Sequence, residues 1–157
     1  MSASTVTFGR RRLCAEPAIP ARRSLGAGRA TSIHTTIRGQ EVTFASRFED
    51  QAGGKTSPEE LIAAAEATCF SMALANGLAQ EGNAPTRLET DAVCTLDQTD
   101  AGFRITSMRL SVRGEVDGID EDAFRAAAEE AKAGCPVSNA LSGVDISLEA
   151  SLAGSPS

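Results

Sequence analysis

Two hydrophobic periods alternate along this chain, and the points where one gives way to the other predict its elements. The segment Thr56-Ser57-Pro58-Glu59-Glu60 opens a helix: Ser57 suits the N-cap, Pro58 the first helical position, and Glu60 the third, where its carboxylate completes a capping box. Leu61, Ala64, Ala65, Thr68, Cys69, Met72, Leu74 and Ala75 then recur at three- and four-residue spacing until Gly82. Small residues and sparse charge predict a long, central, mostly buried helix. From 87 to 97 the period drops to two, with Leu88, Thr90, Ala92, Cys94 and Leu96 on one face. A turn at 99–102 and a second strand over 103–116 complete a hairpin. Its apolar phase changes between Ile105 and Met108, which predicts a bulge. Asp120 caps a second helix over 121–133 with Phe124, Ala127, Ala128 and Ala131 inward and Gly134 as its stop. Cys135-Pro136 opens a short helix through Leu141, and 144–148 alternates as a last strand. Upstream, 29–33 and 41–47 read as short strands joined by a turn at 37–40, and 50–55 is a glycine-containing loop. Consecutive antiparallel strands with helices to one side give an α+β domain.

The 157 residues suffice for one domain that buries its own core without a metal or disulfide staple. Residues 1–28 are rich in Arg, Pro, Gly and Ala and read as a basic, flexible arm; 29–150 form the domain and 151–157 a tail. Charge divides along the same line. Residues 1–40 hold seven arginines against Glu16, a balance of +6, whereas the remaining 117 hold eight bases against twenty acids, a balance of −12. So acidic a body repels phosphates, and the lack of Trp and Tyr leaves few platforms for bases; no nucleic-acid partner is expected. The densest apolar stretch, 63–75, is broken by Glu66, Thr68 and Ser71, and no apolar region follows the basic start. Neither a membrane span nor a secretory leader is expected, and the location is read as cytoplasmic.

Cysteine is where the chemistry lies. Cys14, Cys69, Cys94 and Cys135 are scattered, with no CxxC pair, and His34 is the sole histidine, so no metal site is expected. Taken alone, Cys69 reads as a small core residue. Cys135 sits where a helix N-cap should fall, a position whose free amides favour thiolate, so it is open between a structural and a reactive residue. Cys94 reads as core filling, Cys14 as incidental and His34 as a strand or surface residue. Arg47, opposite Val42 and Phe44 in a two-residue period, reads as solvated, and Glu59 as a carboxylate favouring the helix dipole.

The combination TSPEELIAAAEATCFSMAL and AKAGCPVSNAL, with Cys69 and Cys135 66 positions apart, resembles the OsmC/Ohr family of thiol-dependent hydroperoxide reductases, and its OsmC branch in particular. FASRFED and DAGFRIT add to the resemblance, which covers 29–150. It implies an OsmC-like fold: an antiparallel sheet packed on a long central helix, in an intertwined homodimer with two active sites at the subunit interface. It further implies that Cys69 is the peroxidatic and Cys135 the resolving cysteine. Glu59 would partner a catalytic arginine, with Arg47 in that role and Arg23 or Arg29 as alternatives. No cofactor is implied; an external dithiol, of lipoyl type in the Ohr branch, would reset the enzyme. Cys69 lies mid-helix, beyond reach of its own helix dipole, so an arginine must stabilise its thiolate. Phe44, Phe48, Phe70 and Met72 would line an apolar site suited to organic hydroperoxides. A non-catalytic redox sensor or binding protein, and a structural dimer, are the alternatives on the same fold.

Three features depart from that pattern or strain it. CAEPAIPARRSLGAG stands where the family has a Trp-containing strand and a GDLK-type segment. Glu66 stands where OsmC proteins often have His. Ionised and inward it would raise the pKa of Cys69, three residues on, so it is expected to face solvent or to pair with an arginine. Glu59 and Cys69 are ten residues apart, or ~15 Å along a straight helix.

Overall fold

A computed structural model describes residues 56–153, together with the backbone of three short strands: β1 (Thr5–Val6), β2 (Thr35–Ile37) and β3 (Gln40–Val42). The long helix α1 spans Pro58–Gln80. Its start is the capping box expected: the Ser57 hydroxyl accepts from the Glu60 N–H at 3.2 Å, and the Glu60 carboxylate accepts from the Ser57 N–H at 3.2 Å and the Thr56 hydroxyl at 2.8 Å. Gly82, at φ 88°, turns the chain out of the helix, a conformation an L side chain resists.

β4 (Arg87–Thr99) and β5 (Gly102–Glu115) form the antiparallel hairpin. The predicted bulge is present: Thr95 pairs with Ser107 and Leu96 with Ile105, which leaves Thr106 as the extra residue. α2 (Glu121–Gly134) begins at Asp120, whose carboxylate accepts from the Ala123 N–H at 2.8 Å. The five-residue α3 (Pro136–Ala140) follows, and β6 (Asp145–Leu152) returns to the sheet, running four residues beyond the 148 expected.

The sheet order is β1-β4-β5-β6. Its central pair is antiparallel as expected, but both flanking strands join in parallel, so the sheet is mixed. β6 is parallel to β5 because the connection between them is a helical crossover, which carries the chain back to the starting end. Thr5–Val6, within the segment read as an arm, pairs with Glu89–Thr90. β2 and β3 pair antiparallel with Ile37 opposite Gln40, so the strand that pairs with 40–42 lies at 35–37, within the stretch expected to lead into the turn. A two-residue connection pairs the residues nearest it first. Residues 29–33 and 43–47 lie outside the described residues.

One face of α1 packs on the sheet through Phe70, Leu74 and Leu78, which meet Leu88, Met108, Leu110 and Val112; Phe124 and Ala128 of α2 close the core. Ser71 is hydrogen-bonded to Thr90 at 2.8 Å across this buried layer. Gly114 is there because Phe124 presses on it: a Cβ would lie 2.6 Å from the ring. Along the outer edge of β6, the Leu152 N–H donates to Glu121 at 2.9 Å and Arg125 donates to the Ala150 carbonyl at 3.3 Å. The opposite side of α1 is open, with Ala65, Thr68, Met72 and Asn76 exposed and Met72 68% so. By length and composition alone the 23 residues of α1 would suffice to cross a membrane, a test that the core helix of a soluble domain also passes.

Candidate active site

α1 and α3 meet at the two cysteines. Pro136 holds the residue before it out of helical geometry, so Cys135, at φ −71° and ψ 121°, both ends α2 and begins α3. Its thiol is wholly buried; that of Cys69 is half-buried, and both are free. Cys135 is among the groups that act on the Cys69 thiol, so the two cysteines are neighbours where α1 meets α3.

The amide geometry differs from expectation. The first N–H groups of a helix lack partners within it, and Pro136 has none to offer. The Val137 N–H is therefore the first free donor of α3, and it lies close enough to the Cys69 thiol to pull its pKa down. Cys135 makes no capping bond through its side chain. The amide expected to serve Cys135 thus serves Cys69, which gains from a neighbouring helix what its own cannot supply.

That gain is outweighed. Burial, first, pushes the Cys69 thiol above its ordinary value; Val137 pulls it down; the hydrogen bond and charge of Cys135 and the charge of Glu66 push it up again. None of these groups is a cation, so among the described residues nothing positive stabilises the thiolate. Arg47, Arg23 and Arg29 lie outside the described residues, as do Cys14, His34, Phe44 and Phe48.

Glu66 corrects the expectation that it would face solvent or an arginine. It is fully buried and accepts a hydrogen bond from Ser138 of α3 at 2.5 Å, while its other oxygen has no partner among the described residues. The reason is helical phase. Ala63, Ala67, Phe70 and Leu74 define the inward face, and position 66 falls between them. The stripe read from sequence ran instead through Ala65, Thr68 and Met72, which are exposed, so it was out of phase with the buried face and gave no signal for Glu66. Ser138 and the Val137 amide were not singled out from sequence; only the short helix after Cys135-Pro136 hinted at them.

Glu59 is buried in the first turn of α1. The helix is continuous from Pro58, so the ~15 Å rise to Cys69 stands. Among the described residues Glu59 acts on Cys94: burial, and then the Glu59 charge, push the Cys94 thiol up to about 11. Phe70 is core, while Met72 lies on the open face of α1. The chain thus brings together Cys69, Cys135, Glu66 and Ser138, and brings Glu59 to Cys94. Chemically, two neighbouring free thiols, one half-exposed and one buried, are groups that an oxidant can convert to a sulfenic acid and a disulfide.

Residues 50–149 match a family model described as OsmC-like protein. Peroxiredoxin OsmC of Escherichia coli strain K12 is 45% identical over 116 residues, 74% of this chain and 80% of that protein. Organic hydroperoxide resistance protein OhrA of Bacillus subtilis is 35% identical over 97 residues, 60% of this chain and 66% of that one. Among solved structures, an organic hydroperoxide resistance protein OsmC from Legionella pneumophila superposes with a TM-score of 0.53 at 29% identity, covering 63% of this chain and 72% of that one.

Proposed function

This chain belongs to the OsmC/Ohr family of peroxidase-type oxidoreductases, and from that premise we propose that it reduces organic hydroperoxides to alcohols through Cys69 and Cys135. The neighbouring free thiols of Cys69, half-buried, and Cys135, buried, carry the reading. The Cys69 thiolate attacks the outer oxygen of the hydroperoxide, the O–O bond breaks, and the alcohol leaves with a proton. Cys69 is left as sulfenic acid. The Cys135 thiol then attacks that sulfur, water departs, and a Cys69–Cys135 disulfide forms. An external dithiol, of lipoyl type, reduces the disulfide by exchange.

The first step needs a thiolate, and the groups around Cys69 within the described residues hold it as thiol. A cation is required, and Arg47 is assigned that role, with Arg23 and Arg29 as alternatives and Glu59 as the carboxylate that orients it. Glu59 lies too far along α1 to reach Cys69 of its own chain. A homodimer packed through the open faces of α1 would let a second copy complete the site, and the exposed Ala65, Thr68 and Met72 suit such an interface. Free thiols and a dithiol reductant suit a reducing, cytoplasmic compartment.

A non-catalytic redox sensor has one observation in its favour, the raised Cys69 thiol. Turnover separates the two. Pure protein with dihydrolipoamide should consume cumene hydroperoxide faster than hydrogen peroxide, and Cys69→Ser should abolish the reaction. Folded, reduced protein that forms the disulfide once without turning over would establish the sensor.

A further inference from the structure

The mechanism leaves Glu66 unused, although it is a carboxylate buried to 0% exposure one helical turn from Cys69. Its place is costly twice over. One oxygen has no partner among the described residues, and its charge opposes the Cys69 thiolate. The compensation lies on α3. That helix has five residues and a first turn without a side-chain cap. The Ser138 hydroxyl donates to Glu66 and so ties this turn to α1, beside the Val137 amide that acts on Cys69. Cys135 directly precedes that turn, so the bond helps to fix where its thiol sits. Oxidation of Cys69 leaves the Glu66–Ser138 bond intact.

We propose that Glu66 is a positioning residue for the second step of the reaction: through Ser138 it clamps α3 to α1, so that Cys135 faces Cys69 when the sulfenic acid forms. The step it serves is condensation, in which the Cys135 sulfur bonds to Cys69, the S–O bond breaks, and the hydroxyl leaves as water with the Cys135 proton. The clamp does not touch the hydroperoxide. The inference rests on the proposed peroxidase reading, and its test tells the two apart.

Reduced full-length protein is mixed with cumene hydroperoxide, quenched at intervals with dimedone, which traps sulfenic acid, and resolved by mass spectrometry. In the native chain the Cys69–Cys135 disulfide should outrun trapping. In Ser138→Ala and in Glu66→Leu, disulfide formation should slow about tenfold, the kinetic equivalent of one buried hydrogen bond, and the Cys69 adduct should accumulate. Loss of thiol by the first step should not slow in either. Glu66→Gln, which keeps an acceptor for Ser138, should restore closure. Ser138→Ala removes a single hydroxyl and carries the test where Glu66→Leu fails to fold, as read by circular dichroism. Closure at the native rate in Ser138→Ala, or a Glu66→Gln variant as slow as Glu66→Leu, overturns the clamp. A native chain that forms neither adduct nor disulfide overturns the peroxidase reading instead.

Discussion

Glu66→Gln separates charge from hydrogen bonding at the site, because glutamine still accepts from Ser138 but no longer opposes the Cys69 thiolate. The size of the effect follows from position. Residues three apart on a helix have Cβ atoms about 5–6 Å apart. At ~6 Å and an effective dielectric constant of ~20, one charge acts on another with about 3 kcal/mol, a ceiling of about two pH units. Glu66 is the least of the influences on Cys69, behind burial, Val137 and Cys135, so removing its charge lowers the thiol's pKa by well under that ceiling. Below that pKa the thiolate fraction rises tenfold per unit, while its nucleophilicity falls with a Brønsted slope of about 0.4–0.5. A drop of one unit therefore gives a net gain of about threefold to fourfold in attack on peroxide near neutral pH. The assay is the rate of iodoacetamide modification of Cys69 against pH, read peptide by peptide. Cys94, pushed up to about 11, and the buried Cys135 react later and do not mask it. An alkylation profile for Glu66→Gln that coincides with the native one, or moves to higher pH, would refute the argument that Glu66 taxes this thiol.

Two further expectations concern the scaffold. Gly114→Ala drives a methyl group to within 2.6 Å of the buried Phe124 ring and 3.2 Å of Leu88, and should cost about 1–3 kcal/mol in urea unfolding. Phe124→Leu in the same chain should recover part of the loss, and an unchanged midpoint would show that the ring yields freely. Met72→Arg places a charge in the middle of the open face of α1. By sedimentation velocity the native chain should be dimeric and this variant monomeric, and equal masses would remove that face from the interface.

What could be read from sequence was what neighbours along the chain decide. Ser57, Pro58 and Glu60 fix the start of α1 through bonds spanning three or four residues. The change of apolar phase between Ile105 and Met108 located the extra residue at Thr106. Cys135-Pro136 announced a helix start because proline constrains its predecessor. What could not be read is decided by segments distant in sequence. Whether α3 turns its first amide toward Cys135 or Cys69 depends on how it lies across α1. The fate of Glu66 depends on Ser138, 72 residues away. A carboxylate in an inward phase suggests a side chain that will escape to water, unless a donor is waiting inside. The parallel entry of β6 follows from a crossover that no local pattern encodes. Glu59 was singled out as the partner of an arginine, and nothing in the local pattern showed that its charge would also bear on Cys94.

The bonds that Glu121 and Arg125 make to β6 bear on how this protein behaves at high concentration. An outermost strand presents alternate N–H and C=O groups to the outside, a ready template for another chain's strand. Here the Leu152 N–H is met by a carboxylate and the Ala150 carbonyl by a guanidinium, from two side chains paired with each other at 3.0 Å on one turn of α2. An incoming strand would have to displace both and strip water from the pair. Solution assembly is thereby steered away from sheet extension along β6, and fibril-like growth from that margin is disfavoured as long as α2 stays folded. The helix that closes the core also guards the sheet's margin, so unfolding of α2 would expose the two together.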